Sequence, residues 1–305
     1  MSYDLKIGFA CNNNCVHCVI SDKAFSGDLS LQQLKSIIDK DIKQGEQVVV
    51  TGGEPTLRKD FIEILKYLNE TKEAKIVLQT NGRGLSDENI ARESVKYVDW
   101  YLIAIHSHNK FIHEMITERK NSFDETIQGV RNINKYLTPK NQIHSQTVLS
   151  KLNVDNLLAT YDFIFEDLGI KAMNMTFPHP MGNAMKNFNI VVPQYHTIKK
   201  SIQKCFEKYG KYLHTEAIPL CYIHPYVNEV YYSEKDRINK SDRRGHDHSI
   251  KNDSIENYNE IILKEYRKTE SCKECIYNYK CIGVWKEYYE GYKDSMDLFP
   301  IREQK

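Results

Sequence analysis

The sequence predicts an α/β protein whose parallel sheet is covered by helices and curved into a full or partial barrel. Two observations predict it. Short apolar runs and segments of helical period alternate six times within the first 180 residues, and the apolar runs are nearly continuous rather than alternating. Strands of that kind belong to parallel sheets buried on both faces, and right-handed crossovers curve such a sheet.

Lys6 to Ala10 reads as the first strand, ending at Cys11. Leu31, Leu34, Ile38 and Ile42 follow helical spacing, with Ser30 and Gln33 as a capping box and Gly45 as a stop. Val48-Val49-Val50 is the second strand, ending in Thr51-Gly52-Gly53-Glu54-Pro55. Phe61, Ile64, Leu65 and Leu68 mark the next helix. Ile76-Val77-Leu78 is the third strand, ending in Gln79-Thr80-Asn81-Gly82, and a weaker helix covers Asp87 to Tyr97. Tyr101 to Ile105 is the fourth strand, ending in His106-Ser107, and Phe123, Ile127, Val130 and Leu137 follow as a helix. Gln142 to Leu149 is the fifth strand, Leu157 to Leu168 a helix, and Ala172 to Phe177 the sixth strand.

The chain has 305 residues, enough to bury a core without staples. Forty-two Lys and Arg against 41 Asp and Glu leave a net charge of +1, which argues against a strongly electrostatic nucleic-acid binder. No apolar run approaches the roughly 20 residues of a membrane span, and Met1 to Lys6 lacks a signal-peptide layout. The reading is therefore a soluble, cytoplasmic protein that touches neither membrane nor nucleic acid. Composition changes near residue 205: 13 of the 20 tyrosines and five of the eight cysteines lie from there onward. The expected division is a barrel over 1–200 and a second domain over 201–305, with an exposed polar loop at about 234–253. That second part has little aliphatic periodicity, so a metal centre could replace part of a core.

The cysteines cluster at 11, 15 and 18 and at 272, 275 and 281, with others at 205 and 221. Such clustering in a reduced compartment points to metal or redox chemistry rather than disulfides. Cys11-Asn12-Asn13-Asn14-Cys15-Val16-His17-Cys18 has the spacing CxxxCxxC directly after the first strand, where an α/β barrel builds its active site. Three thiolates can hold three irons of a cubane and leave one iron open. Zinc with His17 as fourth ligand is the competing reading, though His17 beside Cys18 is awkward for one tetrahedral ion.

CxxxCxxC after the first strand and Gly52-Gly53-Glu54-Pro55 after the second together resemble the radical S-adenosylmethionine (SAM) superfamily over residues 5 to about 180. The resemblance implies a partial (β/α)6 barrel of the TIM type. It also implies a [4Fe-4S] cluster on Cys11, Cys15 and Cys18 whose open iron chelates SAM. One electron from the cluster then cleaves SAM to methionine and a 5′-deoxyadenosyl radical that abstracts hydrogen from a substrate. His17 would lie near the adenine. Gly52, Gly53 and Glu54 would meet the SAM ammonium through backbone carbonyls and a carboxylate, with Pro55 stiffening the turn. Asn81, Ser107, Gln146 and Arg119 are further candidates for the SAM ribose or carboxylate. An electron donor such as flavodoxin or ferredoxin is implied as a partner.

Cys272-Lys273-Glu274-Cys275 and Cys281 give CxxC-x5-C, for which zinc competes when the segment is taken alone. The fourth ligand must lie upstream, and Cys221 is preferred to Cys205, which sits in a helical pattern as a core thiol. The segment is similar to the SPASM and twitch extensions of radical SAM maturases, with Trp285 where the SPASM pattern has its last cysteine. That implies a small α+β domain with one auxiliary [4Fe-4S] cluster on Cys221, Cys272, Cys275 and Cys281. The aromatic run Gly283 to Tyr289 is expected to pack around it. Three functions follow: modification of a ribosomally made peptide, with a short precursor or a separate peptide-recognition protein; dehydrogenation or epimerisation of a small molecule such as an aminocyclitol; or, without catalysis, an iron–sulfur electron carrier.

Overall fold

Seven strands run parallel in the order β7-β6-β5-β4-β3-β2-β1: β1 Ser2–Gly8, β2 Gln47–Gly52, β3 Lys75–Thr80, β4 Val98–Ala104, β5 Gln142–Val148, β6 Ala172–Thr176 and β7 Leu213–Glu216. The computed structural model describes residues 2–23, 28–228, 243–246, 256–257, 264–292 and 298–302. Beyond β1 the sheet adds β8 Arg243–His246, parallel to it, and β9 Glu256–Asn257, antiparallel to β8. Among the described residues β7 and β9 are the two edges and do not pair, so the barrel is partial.

Helices α1 Leu31–Asp41, α2 Phe61–Lys72, α3 Glu88–Ser94, α4 Lys110–Thr117, α5 Ser122–Tyr136 and α6 Leu157–Asp162 lie between successive strands. The capping box forms as the sequence predicts: the Ser30 hydroxyl accepts the Gln33 N–H, and the Gln33 side-chain Oε1 accepts the Ser30 N–H. Leu34 and Ile38 of α1 and Ile64, Leu65 and Leu68 of α2 are fully buried in one cluster with Leu5, Ile7, Val48, Val50, Ile76 and Leu78 of the strands. Each such side chain contributes roughly 1.5–3 kcal/mol over its exposed state.

The strands are not continuously apolar. On the outer face Leu5, Val50, Leu78, Ile103 and Met175 are buried, while on the other Lys6, Thr51, Gln79, Gln146 and Asn174 are half-buried. Register brings this second set together: Lys6 opposes Thr51 and Gln146 opposes Asn174, and the Thr51 hydroxyl donates to Gln79 Oε1 at 3.2 Å. An incomplete barrel leaves its inner face open, so polar side chains stand there without the cost of full burial.

Other expectations need correcting. Gly45 does not stop α1, which ends at Asp41; Gly45 serves instead in the turn before β2, at φ +68°, donating to the Lys72 carbonyl at 2.7 Å. α4 escaped notice because it is only eight residues long, and β7, Leu-His-Thr-Glu, because it has no apolar run. The sheet therefore continues past residue 200. Within the expected polar loop, 243–246 is strand β8; the rest of 234–253 lies outside the described residues.

Candidate metal centre and cofactor cradle

The cysteine loop leaves β1 on the carboxyl rim of the sheet, and hydrogen bonds within the loop help set its shape. Cys18 N–H donates to the Cys15 carbonyl at 3.0 Å, and Asn13 N–H donates to Cys11 Sγ at 3.4 Å. Neighbouring elements grip it from several sides. The end of α4 accepts two of its N–H groups, Asn14 to Thr117 and Val16 to Ile116, both at 2.9 Å. Asn183 Nδ2 donates to the Cys15 carbonyl at 3.1 Å, Asn183 N–H to the Cys18 carbonyl at 2.9 Å, and Asn187 Nδ2 to the Val16 carbonyl at 3.2 Å. Arg83 donates to the Asn12 carbonyl and to Asn13 Oδ1. A Cβ on Gly182 would stand 2.5 Å from the Cys18 carbonyl oxygen, so only glycine allows this approach.

The three thiols lie close enough to interact. Burial pushes the Cys15 thiol well above its ordinary range, and charge on Cys18 or Cys11 pushes it further. Burial raises Cys11 and Cys18 in the same way. Thiolates so placed are unstable alone and are stabilised by a bound cationic centre, so the donor set fits an iron–sulfur cluster. His17 and His106 also approach Cys15, their ligand atoms lying within 4.8 Å of one another. His17 packs edge-on against His106 with ring centroids 4.6 Å apart, and Nδ1 of each is buried without a hydrogen-bond partner.

The Gly52–Pro55 turn is hydrogen-bonded to the chain leading into this loop. Gly53 N–H donates to the Gly8 carbonyl and Glu54 N–H to the Ala10 carbonyl, each at 2.8 Å. Gly52 has φ +132°, and a Cβ on Gly53 would stand 2.3 Å from the Ala10 carbonyl oxygen. The Glu54 carboxylate turns inward. Its Oε1 accepts from Thr56 N–H and the Thr56 and Thr80 hydroxyls at 3.1, 2.6 and 2.6 Å, and Oε2 accepts Asn81 N–H at 2.7 Å. Burial raises this carboxyl's pKa, and those four donors pull it back down. Pro55 is buried at the start of the turn that follows.

Asn81 joins the two halves: its amide donates to Asn12 Oδ1 at 2.7 Å and lies 3.9 Å from Cys11 Sγ. Ser107 is fully buried, its hydroxyl accepting Asn109 N–H at 3.1 Å. Gln146 stands on the half-buried inner face. Arg119 is exposed and donates to the Glu118 carbonyl at 3.1 Å. The groups that hold the loop, Arg83, Asn183 and Asn187, were not singled out from the sequence. Arg83 follows Asn81-Gly82 at a strand end, which is a positional signal; the two asparagines carry none.

At the other end of the chain Cys221, on the short helix Leu220–Ile223, shares one cavity with Cys272, Cys275 and Cys281. Burial raises the Cys221 thiol, and charge on each of the other three raises it further. Cys205 is fully buried in the helix Tyr195–Tyr209 and does not line that cavity. Trp285 stacks on Tyr266 and on His179, at 4.2 and 3.8 Å, and Tyr288 is buried against Phe177 and Tyr195. The aromatic run thus ties the cysteine-rich segment to the barrel.

The chain matches the family model of the radical SAM superfamily over residues 5–164, more than half its length, and it belongs to that superfamily. Its cofactors are accordingly SAM and a [4Fe-4S] cluster, and the cysteine-rich C-terminal segment fits an auxiliary cluster. An AdoMet-dependent heme synthase of Methanosarcina barkeri is 26% identical over 201 residues, 65% of this chain and 56% of that protein. The mycofactocin maturase MftC of Mycolicibacterium smegmatis is 32% identical over 155 residues, 50% of this chain and 38% of the maturase. The chain thus matches about half or less of these relatives' length. The solved structure of anSMEcpe with bound AdoMet and the Cp18Cys peptide shares the fold, with a TM-score of 0.69 at 16% identity, over 98% of this chain and 93% of that one. Among the described residues no helix is long and apolar enough to cross a membrane.

Proposed function

We propose that this chain is an enzyme that reductively cleaves SAM and takes a hydrogen atom from a peptide substrate, in an oxidative maturation such as a crosslink. The observation that carries the reading is the pair of hydrogen bonds from Gly53 and Glu54 to Gly8 and Ala10, which lock the glycine turn against the cysteine loop. Cys11, Cys15 and Cys18 would hold three irons. When bound, the cluster and SAM supply a radical able to break an unactivated C–H bond. The chain's own part is to hold and orient. The backbone of Gly52 and Gly53, with the remaining acceptor capacity of Glu54 Oε2, receives the ammonium group. Pro55 stiffens that turn, and His17 faces the adenine. Asn81 is the favoured polar partner for the rest of SAM, with Ser107, Gln146 and Arg119 as further contacts.

Cys221, Cys272, Cys275 and Cys281 would hold the auxiliary cluster, which when bound would supply an acceptor for the electron that net two-electron chemistry must remove. In this reading residues 1–200, extended by β7 and β8, form the radical domain and the cysteine-rich remainder the auxiliary one. A flavodoxin or ferredoxin supplies electrons, the peptide is either a short precursor or presented by a separate recognition protein, and the setting is the cytoplasm, where thiols stay reduced. The whole-length likeness to a peptide-bound structure favours a peptide over a metabolite. The relationship to a heme synthase supports the second reading, oxidation or epimerisation of a small molecule. Anaerobic incubation of the reconstituted protein with SAM, reductant and the short peptides encoded beside its gene tests the choice. A peptide product of altered mass supports the first reading. Turnover of metabolites alone overturns it.

A further inference from the structure

Outside the two cysteine sets, His179, Glu265 and Glu287 present one ligand atom each within 4.8 Å of one another, all three half-buried. His179 Nε2 lies 3.2 Å from Glu287 Oε2. Donors bound at about 2.1 Å to one metal ion sit roughly 3.4 Å apart, so this pair already has that spacing, and Glu265, within 4.8 Å of both, needs to close by at most about 1.4 Å.

The set is held rather than loose. The His179 imidazole lies parallel to Trp285, ring centroids 3.8 Å apart and planes 4° from parallel, and Trp285 stacks on Tyr266. Tyr266 and Trp285 oppose each other in a short antiparallel ladder, Tyr266–Arg267 with Val284–Trp285. Glu265 is adjacent to one ladder residue and Glu287 two beyond the other, and Lys286 N–H donates to the Glu265 carbonyl at 2.6 Å. The backbone therefore fixes where both carboxylates start. His179 comes from the segment after β6, which four residues later grips the cysteine loop through Asn183.

Charge favours a cation here. The carboxylates of Glu287 and Glu265 converge with the His179 ring nitrogen, and a metal ion replacing the proton shared between His179 Nε2 and Glu287 Oε2 would take both atoms as ligands. Two carboxylates and one neutral imidazole balance a divalent ion. We propose that His179, Glu265 and Glu287 form a site for a divalent first-row metal ion, distinct from the iron–sulfur centres. Mixed imidazole and carboxylate donors suit Zn²⁺, Mn²⁺ or Fe²⁺, and three protein ligands leave coordination positions for water or a donor atom of the substrate.

The test is an anaerobic titration of Mn²⁺ into the cluster-loaded, full-length protein, with free Mn²⁺ read from its EPR signal. One Mn²⁺ per chain is expected, displaced by Zn²⁺ in keeping with the Irving–Williams order. Binding should weaken at least tenfold in Glu287→Gln, Glu265→Gln and His179→Ala, and stay unchanged in Glu290→Gln. The Gln variants are isosteric, and retained cluster absorbance certifies their fold. No stoichiometric uptake, or uptake equal in all variants, overturns the site. Formation of 5′-deoxyadenosine in the same samples reports the radical chemistry separately, so failure of one leaves the other standing.

Discussion

Arg83 bridges Glu125 and the cysteine loop: its Nε donates to Glu125 Oε2 at 2.6 Å while Nη1 donates to the Asn12 carbonyl and, at 2.9 Å, to Asn13 Oδ1. Lysine cannot reproduce this fork, and each hydrogen bond from a charged donor is worth about 1.5–3 kcal/mol. Arg83→Lys should therefore loosen the loop and lower cluster retention severalfold, read as iron per chain after anaerobic gel filtration. Full retention would show that Arg83 does not hold the loop.

Gly53→Ala places a methyl against backbone carbonyls that cannot step aside, 2.3 Å from Ala10 and 2.4 Å from Phe9. Overpacking of this kind costs about 1–3 kcal/mol. A lowered melting temperature and SAM binding weakened by tenfold or more are expected, from thermal melts and calorimetric titration.

His113 is buried and its pKa is pushed down to about 4 by desolvation, with charge on His17 and Arg83 adding to the effect; His106 beside it is lowered too. The unfolded chain then binds protons that the folded chain refuses. Stability is fully present above about pH 6.5 and falls as the pH drops from there toward 4. His113 accounts for about 3 kcal/mol of that loss. Urea unfolding of the cluster-free chain across this range should show the slope. His113→Asn keeps an acceptor for the His106 N–H, 3.3 Å from Nδ1, and should flatten the slope.

Cys221 and Cys205 are separated by one substitution each. Cys221→Ala should lower iron from about eight atoms per chain toward about four, since the auxiliary centre, unlike the SAM-binding one, has all four of its irons held by cysteine and loses one of those ligands. Cys205→Ala should leave the iron count unchanged and cost stability alone. Equal iron in both variants would remove Cys221 from the ligand set.

The cysteine spacing, the Gly52–Pro55 turn and the alternation of strand and helix were legible because each is local: few short segments can satisfy them otherwise. Ser30 with Gln33 capped α1 for the same reason. What escaped reading depends on contacts distant in sequence. Arg83, Asn183 and Asn187 act on carbonyls 71, 168 and 171 residues away. β7 and β8 lack apolar runs because they are short and lie toward the edges of the sheet. The polar inner face of the barrel was hidden because the apolar runs at 48–50 and 76–78 mask the alternation that Lys6, Thr51 and Gln79 continue.

The central claim, that Cys11, Cys15 and Cys18 hold the centre at which SAM is cleaved, is tested most directly by 5′-deoxyadenosine formation in reconstituted wild type and in single alanine variants of those cysteines. Wild type should form it, each variant should not, and Cys272→Ala should keep a part of it. Cleavage that survives loss of Cys11, Cys15 or Cys18 would contradict the account.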